Sequence, residues 1–300
     1  MARRPGRRDD DRQGTAGYEQ RVRNSDIAAQ TVILPTPGHS LVVAWRDVVD
    51  GARLAPVWLY TGWIDVVQRF RRTRLGQFWH TLSLAAFILV MGVLWSTILR
   101  QDPIDYLRFT TTSLIVWSLI SGLVTDGTMV IINGQATALS MRFPYTAFAM
   151  GHVWRGLLMF AHHFVLYILV MTATLYPPGW TGLLAVPGLL LVVANGFWMS
   201  LLVGMLALRR RDVIPAVGSA MQIMMFVTPV LWPKELLGPK LAFAADLNPL
   251  YHLVRVARDP LMGLAPGIEN WAWAIGLLLV GGGATLWLYG RWRNRMPYWF

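Results

Sequence analysis

A chain of 300 residues that is 55% hydrophobic, only 14% charged and rich in tryptophan, with mean hydropathy +0.43, is too apolar to be a water-soluble domain of this length. Its lack of cysteine excludes disulfides, thiolate metal sites, cysteine nucleophiles and a lipoprotein anchor. The net charge of +11 comes from arginines that cluster beside apolar runs, so charge here carries orientation.

The chain opens with seven arginines before Asn24. Residues 1–54 read as a disordered, basic cytoplasmic tail able to lie on an anionic leaflet. The apolar stretches Val32–Leu34 and Leu41–Trp45 are too short and interrupted for a secretory signal.

Residues 55–300 read as one transmembrane domain. Its first element, "PVWLYTGWIDVVQRFRR" (Pro56–Arg72), has proline at a first helical position. Leu59, Tyr60, Trp63, Ile64, Val67 and Phe70 follow at helical spacing, with Asp65, Gln68, Arg69 and Arg72 opposite. That pattern predicts an amphipathic helix lying in the membrane interface.

A crossing helix needs roughly 20 apolar residues. Six segments meet that length, at about 77–99, 109–132, 156–176, 183–208, 213–232 and 271–290, which predicts an all-α polytopic membrane protein. An even count puts both ends of the domain on one side. Arg69, Arg71, Arg72 and Arg74, then Arg142 and Arg155, Arg209–Arg211, and Arg291, Arg293 and Arg295 all fall on that side, so the retention of basic loops makes it cytoplasmic.

Two connections are too long to be simple turns. Asn133–Arg155, with Pro144 in its middle, is expected to hold a short cytoplasmic helix. Pro233–Asn270 is too broken by proline to cross. Inside it, "NPLYHLVRVARDP" predicts a helix with Asn248 as N-cap and Pro249 first. Leu250, Leu253, Val254 and Ala257 lie on one face, Arg255 and Arg258 on the other, and Pro260 ends it. Too short to span, it is re-entrant or interfacial. Gly196, Ser200 and Gly204, with Gly281–Gly283, predict close helix packing.

Candidate chemistry is sparse. His162 and His163 are adjacent mid-span and point about 100° apart, so they cannot share a metal. Asp126 is either an intramembrane functional carboxylate or a residue reaching the interface. No G-x-x-x-x-G-K-[ST], G-x-S-x-G or H-E-x-x-H occurs, so the chain is not expected to hydrolyse ATP or act as an enzyme by itself. Phe87, Met91 and Trp95 form an i, i+4, i+8 stripe, and Trp117 lies within the second span. Flat rings suit the C–H faces of sugars passing along a pathway, or they are packed or lipid-facing.

The stretch "RFRRTRLGQFWHTLS" (Arg69–Ser83) resembles the entry to the first span of ABC-2 type polysaccharide export permeases. The likeness continues through "DYLRFTTTSLIVWSLIS" (Asp105–Ser121), "RRRDV" (Arg209–Val213), "TPVLWP" (Thr228–Pro233) and "LNPLYHLVRVARDPLMG" (Leu247–Gly263), covering Pro56 onward and leaning towards the O-antigen exporters. The resemblance implies a transmembrane subunit in the bacterial inner membrane that works as two copies with a separate ATPase and moves a lipid-linked, undecaprenyl-type polysaccharide. It implies no cofactor on this chain, with ATP and magnesium held by the ATPase, membrane lipids as further contacts and no nucleic acid.

Mapped onto the role that the resemblance implies, the reading of the residues puts Phe87, Trp95 and Trp117 along the pathway, and Arg69, Arg71, Arg72 and Arg74 against the carrier or leaflet. It places Arg142, Arg209, Arg210, Arg211 and Asp212 at the ATPase, and Asn248, Pro249, Tyr251, Arg255 and Arg258 at a periplasmic gate. An ABC-2 exporter of capsule, teichoic acid, drug or small lipid, or a membrane acyl- or glycosyltransferase using Asp126 and the histidines, are the alternatives.

Overall fold

The computed structural model describes residues 37–69, 78–141, 143–236 and 238–300. The chain divides into two units, Met1–His39 and Ser40–Phe300. Of the first, only residues 37–39, the opening turn of a helix, are described; every other described residue belongs to the second.

Among the described residues the chain is built from twelve α-helices joined by turns and short 3-10 segments: α1 Pro37–Arg53, α2 Ala55–Arg69, α3 Phe78–Leu99, α4 Pro103–Thr125, α5 Val130–Asn133, α6 Gln135–Ser140, α7 Tyr145–Ala173, α8 Ala185–Arg209, α9 Val213–Val227, α10 Pro239–Asp246, α11 Pro249–Leu261 and α12 Ile268–Trp292. Five helical segments are long and apolar enough to cross a membrane: Phe78–Leu99, Pro103–Ser140, Tyr145–Ala173, Trp180–Arg209 and Ile268–Trp299.

The fifth predicted crossing, 213–232, is realised differently. Helix α9 has 15 residues, about 22 Å at 1.5 Å per residue, and stops at Val227. Pro229 forces the residue before it out of helical geometry, and Thr228 sits at ψ 131°. The chain then turns inward, burying Val230 and Leu231.

The predicted disordered tail, 1–54, is helical in its last part, and residues 1–36 lie outside the described residues. Residues 37–53 form α1, and its Asp47 is 2% exposed. Its Oδ2 accepts from Tyr289 Oη at 2.6 Å and Thr146 Oγ1 at 3.0 Å, and its Oδ1 meets Arg293 at 2.6 Å. One carboxylate thereby joins α1, the start of α7 and the end of α12. The helix expected between 133 and 155 is α6, and Pro144 stands just before α7 as its N-cap.

Helix α4 is the central post. It is apolar nearly all round and buried along most of its length, as a fully surrounded helix must be. Asp102 caps it, accepting from the amides of Ile104 at 2.9 Å and Asp105 at 3.0 Å, with Pro103 in the first turn. Its Thr111 and Thr112 hydroxyls donate back to Leu107 O at 2.7 Å and Arg108 O at 2.9 Å, which lets polar side chains sit in an apolar bundle.

The predicted small-residue ridge is the main packing surface of α8. A Cβ on Gly196 would fall 2.3 Å from Leu123, and one on Gly127 would fall 2.9 Å from Ser200 Cα. At the other end of the same ridge, a Cβ on Gly188 would lie 2.0 Å from Val256 O of α11. Gly281 admits the Trp198 ring in the same way, within 2.4 Å of a would-be Cβ. Asn195, fully buried on α8, donates to Ala274 O of α12 at 3.1 Å and accepts from Trp198 at 3.0 Å.

Gly188→Ala is therefore expected to destabilise the bundle by about 1–3 kcal/mol or more, the usual cost of overpacking against unyielding backbone. Gly276→Ala, where an added Cβ meets nothing within 4 Å, should be close to neutral. Thermal unfolding of both variants in detergent measures the difference.

Candidate functional site

Three clusters of polar side chains are embedded among these apolar helices. The first is on α11. Asn248 caps it as predicted, its Oδ1 accepting from Leu250 N at 3.0 Å while Nδ2 donates to Thr228 at 2.8 Å. That second bond ties the cap to the turn after α9, and the Tyr106 hydroxyl of α4 donates to Leu231 O in the same turn.

The arginines of α11 are not on a solvated face. Arg258 is buried, donating through Nε and Nη2 to Asp259 Oδ1 at 3.0 and 2.9 Å and through Nη1 to Pro229 O at 3.1 Å. Its guanidinium lies 5.0 Å from the Phe109 ring centre. Arg255 Nε meets Asp259 Oδ2 at 2.6 Å, so one buried carboxylate serves both arginines. Tyr251 is 1% exposed, and burial raises its phenol pKa despite Arg255, Arg258 and Lys234 nearby. Pro260 does not end α11; the helix runs to Leu261 and closes on Gly263 at φ +75°. The predicted gate residues are thus together, but the group that organises them, Asp259, is not among the candidates that the sequence singles out. Its signal was its spacing: it directly follows Arg258 and lies one turn after Arg255.

The second cluster lines a cavity of about 940 Å³ between α2, the start of α3, the end of α4 and α7. His163 Nδ1 lies 3.1 Å from Ser118 Oγ, which itself donates to Ile115 O at 2.8 Å. A serine with one proton already given to a carbonyl accepts from Nδ1–H, leaving His163 Nε2 as an acceptor; that atom is buried without a partner. His152 donates from Nε2 to Leu123 O at 3.2 Å, which leaves Nδ1 to accept from Arg155 at 3.4 Å. Arg155 also holds Asp65 of α2 at 2.9 Å. Asp126, where α4 tightens into a 3-10 turn, is exposed on the cavity wall. His162 turns away and bonds Leu158 O at 2.7 Å, so the two adjacent histidines diverge as their spacing required.

The third cluster is the Asp47 carboxylate with Thr146, Tyr289 and Arg293. Beside it, Arg209, Arg210, Arg211 and Asp212 form an exposed connection between α8 and α9, where Arg209 stacks over Trp292 at 5.4 Å and Trp299 at 5.6 Å. The aromatic candidates separate. Phe87 is 36% exposed on α3 and Trp95 packs against Trp232 at 6.0 Å, whereas Trp117 is 4% exposed and belongs to the core cluster around α4. Trp117 is therefore a packing residue in this arrangement. Arg71, Arg72, Arg74 and Arg142, with the side chain of Arg69, lie outside the described residues.

Asp259→Ala should cost about 3–5 kcal/mol, because it leaves the buried Arg258 without its counter-charge. Exposed Asp105, 73% accessible at its side chain in its pair with Arg108, is the control and should change stability little when made Ala. Unfolding midpoints in detergent decide this.

The model of the ABC-2 type transporter family matches residues 58–262, more than half of the chain and all of its length from α2 to just past α11. Among curated proteins, the chain is similar to an O-antigen export system permease protein RfbA of Klebsiella pneumoniae, 23% identical over 203 residues, which are 66% of this chain and 77% of that protein. A second Klebsiella pneumoniae protein of that name is 22% identical over 226 residues, covering 72% and 83%. One from Myxococcus xanthus is 23% identical over 223 residues, covering 70% and 86%. With its apolar helices, its short buried α11 and this match, the chain is a multi-pass membrane protein that belongs to the ABC-2 type transporter family.

Proposed function

We propose that the chain is the transmembrane subunit of an ATP-driven exporter that moves a lipid-linked polysaccharide of the O-antigen type out of the cytoplasm across the bacterial inner membrane. The observation that carries this reading is the alignment of 66–72% of the chain with three permeases named for O-antigen export. In this reading ATP and magnesium are held by a separate ATPase subunit, in keeping with the lack of a G-x-x-x-x-G-K-[ST] motif in this sequence.

Two copies of the chain would enclose the pathway. The outward faces of α3 and α9 support this: Leu89, Val93, Ile223 and Phe226 are exposed apolar side chains suited to a second copy or to lipid. Phe87 and Trp95 on α3 then offer rings to the moving glycan. Helix α2 keeps Tyr60, Trp63 and Val67 exposed while Asp65 is bonded to α7, which suits a helix lying in the inner interface. Arg209–Asp212, exposed and short, is the segment placed to meet the ATPase, with α9 as a sixth, partial membrane element and both ends of the domain cytoplasmic. Helix α11, locked by Asp259 and by the turn after α9, is the periplasmic gate.

Deleting the gene in its host should abolish surface O-antigen, as read by gel and immunoblot, and the intact gene should restore it; unchanged surface glycan sinks the reading. Trp95→Ala should lower export several-fold while membrane insertion and ATPase binding persist, both measured on the purified complex. Trp117→Ala, by contrast, should lower stability, since that ring is buried in the core.

A further inference from the structure

The cavity between α2, α4 and α7 is formed within one protomer and does not lie between the outward faces of α3 and α9. It is continuous with a smaller space of about 270 Å³ that shares Asp65, Asn133, His152 and Arg155 and runs on towards Trp58 and Phe148. A volume of about 940 Å³ is in the range of sites that hold small organic ligands. Its wall is unusual for a membrane helix bundle. Ser118, Ser121, Thr125, Asp126 and His163 present hydroxyls, a carboxylate and an imidazole to one space.

Polar groups held among apolar helices raise the free energy unless something bonds to them. His163 Nε2 is such a group, an acceptor without a partner. Charge narrows the occupant. Among the described residues that line it, Arg155 is paired with Asp65, Asp126 takes part in no ion pair, and the other titratable groups are His80, His152 and His163, so the described wall offers a carboxylate and no uncommitted guanidinium. A phosphate is disfavoured there; an uncharged molecule with many hydroxyls is not. Met159 and Phe160 add an apolar patch suited to the C–H face of a sugar ring.

We propose that this cavity is a saccharide site, which holds the uncharged, hydroxyl-rich part of the exported lipid-linked glycan inside each protomer. The proposal rests on the export reading above and deepens it. The hydroxyls of the glycan donate to Asp126 and exchange bonds with Ser118, Ser121 and Thr125, beside the buried His163, while its charged carrier stays outside.

The test uses the absence of cysteine. Gly122 lines the cavity and an added Cβ there meets nothing within 4 Å, so Gly122→Cys places one thiol inside; Met159→Cys does so from the α7 side. Leu175→Cys, at a residue 88% exposed in a loop, is the outside control. The intact transporter in membranes is treated with cationic trimethylammonium-ethyl or anionic sulfonatoethyl methanethiosulfonate, in cells making the glycan and in cells where its synthesis is blocked. Both cavity thiols should react, the cation about tenfold faster than the anion, and Asp126→Asn should remove that preference. Glycan synthesis should slow labelling several-fold at residues 122 and 159 but not at 175, and labelled Gly122→Cys should export several-fold less than the same variant unlabelled.

Thiols that never react, or labelling rates indifferent to the glycan together with full export by the labelled protein, would overturn the saccharide site and leave the export reading standing. Protection of the Leu175→Cys control as strong as that of the cavity thiols would also overturn it, since the effect would then not be local. Failure of the unmodified transporter to export any glycan would instead remove the reading beneath it.

Discussion

The bundle depends on how closely the backbone of α8 can be approached. Gly188, Gly196, Ser200 and Gly204 recur along one ridge, which admits Val256 O of α11 at one end and, at the other, the Leu123 side chain of α4 and the backbone of Gly127 in the 3-10 turn that follows it. In lipid the hydrophobic effect does not pull helices together, so contact area and hydrogen bonds between close backbones must. Ser200 adds one such bond, donating to Leu123 O at 2.7 Å, the same carbonyl that receives His152. The ridge thus sets both the buried position of α11 and the place where α4 loses regular geometry. Asp126 reaches the cavity because of that second effect.

Much of this was legible from residue type and spacing. The ridge announced itself by its four-residue repeat, the start of α11 by Asn248–Pro249, and the four longest crossings after α3 by uninterrupted apolar length. The divergence of His162 and His163 followed from helical geometry alone. What stayed hidden depended on distant partners. Asp47 sits in the amphipathic stretch LVVAWRDVV, and nothing local shows that it will meet Thr146, Tyr289 and Arg293. Arg258 reads only as part of the polar face of a short helix, until Asp259 and Pro229 O surround it. Trp117 reads equally as a pathway ring or a core ring, since a helix that is apolar all round has no face to favour.

The shortening of α9 belongs to a different class of miss. Hydropathy runs unbroken from Val213 to Trp232, and an apolar count alone makes a crossing of it. The contrary signal was a single residue, Pro229, whose ring excludes helical geometry from Thr228. A half-length helix followed by a buried turn leaves backbone groups that lipid cannot satisfy. Tyr106 and Arg258 supply bonds to the carbonyls of Leu231 and Pro229, and Asn248 holds the Thr228 hydroxyl, so the irregular segment is tolerated at that depth.

The Asp47 network has a consequence for biogenesis. The hydrogen bond from Tyr289 spans 242 positions of sequence, so it forms only after the last helix has left the ribosome. At translation rates of roughly 5–20 residues per second, α1 waits roughly 12–50 s for Tyr289. During that interval its carboxylate stays hydrated. The joining of residue 47 to residues 289 and 293 is therefore a late step of assembly, a latch that closes once all the intervening helices are in place.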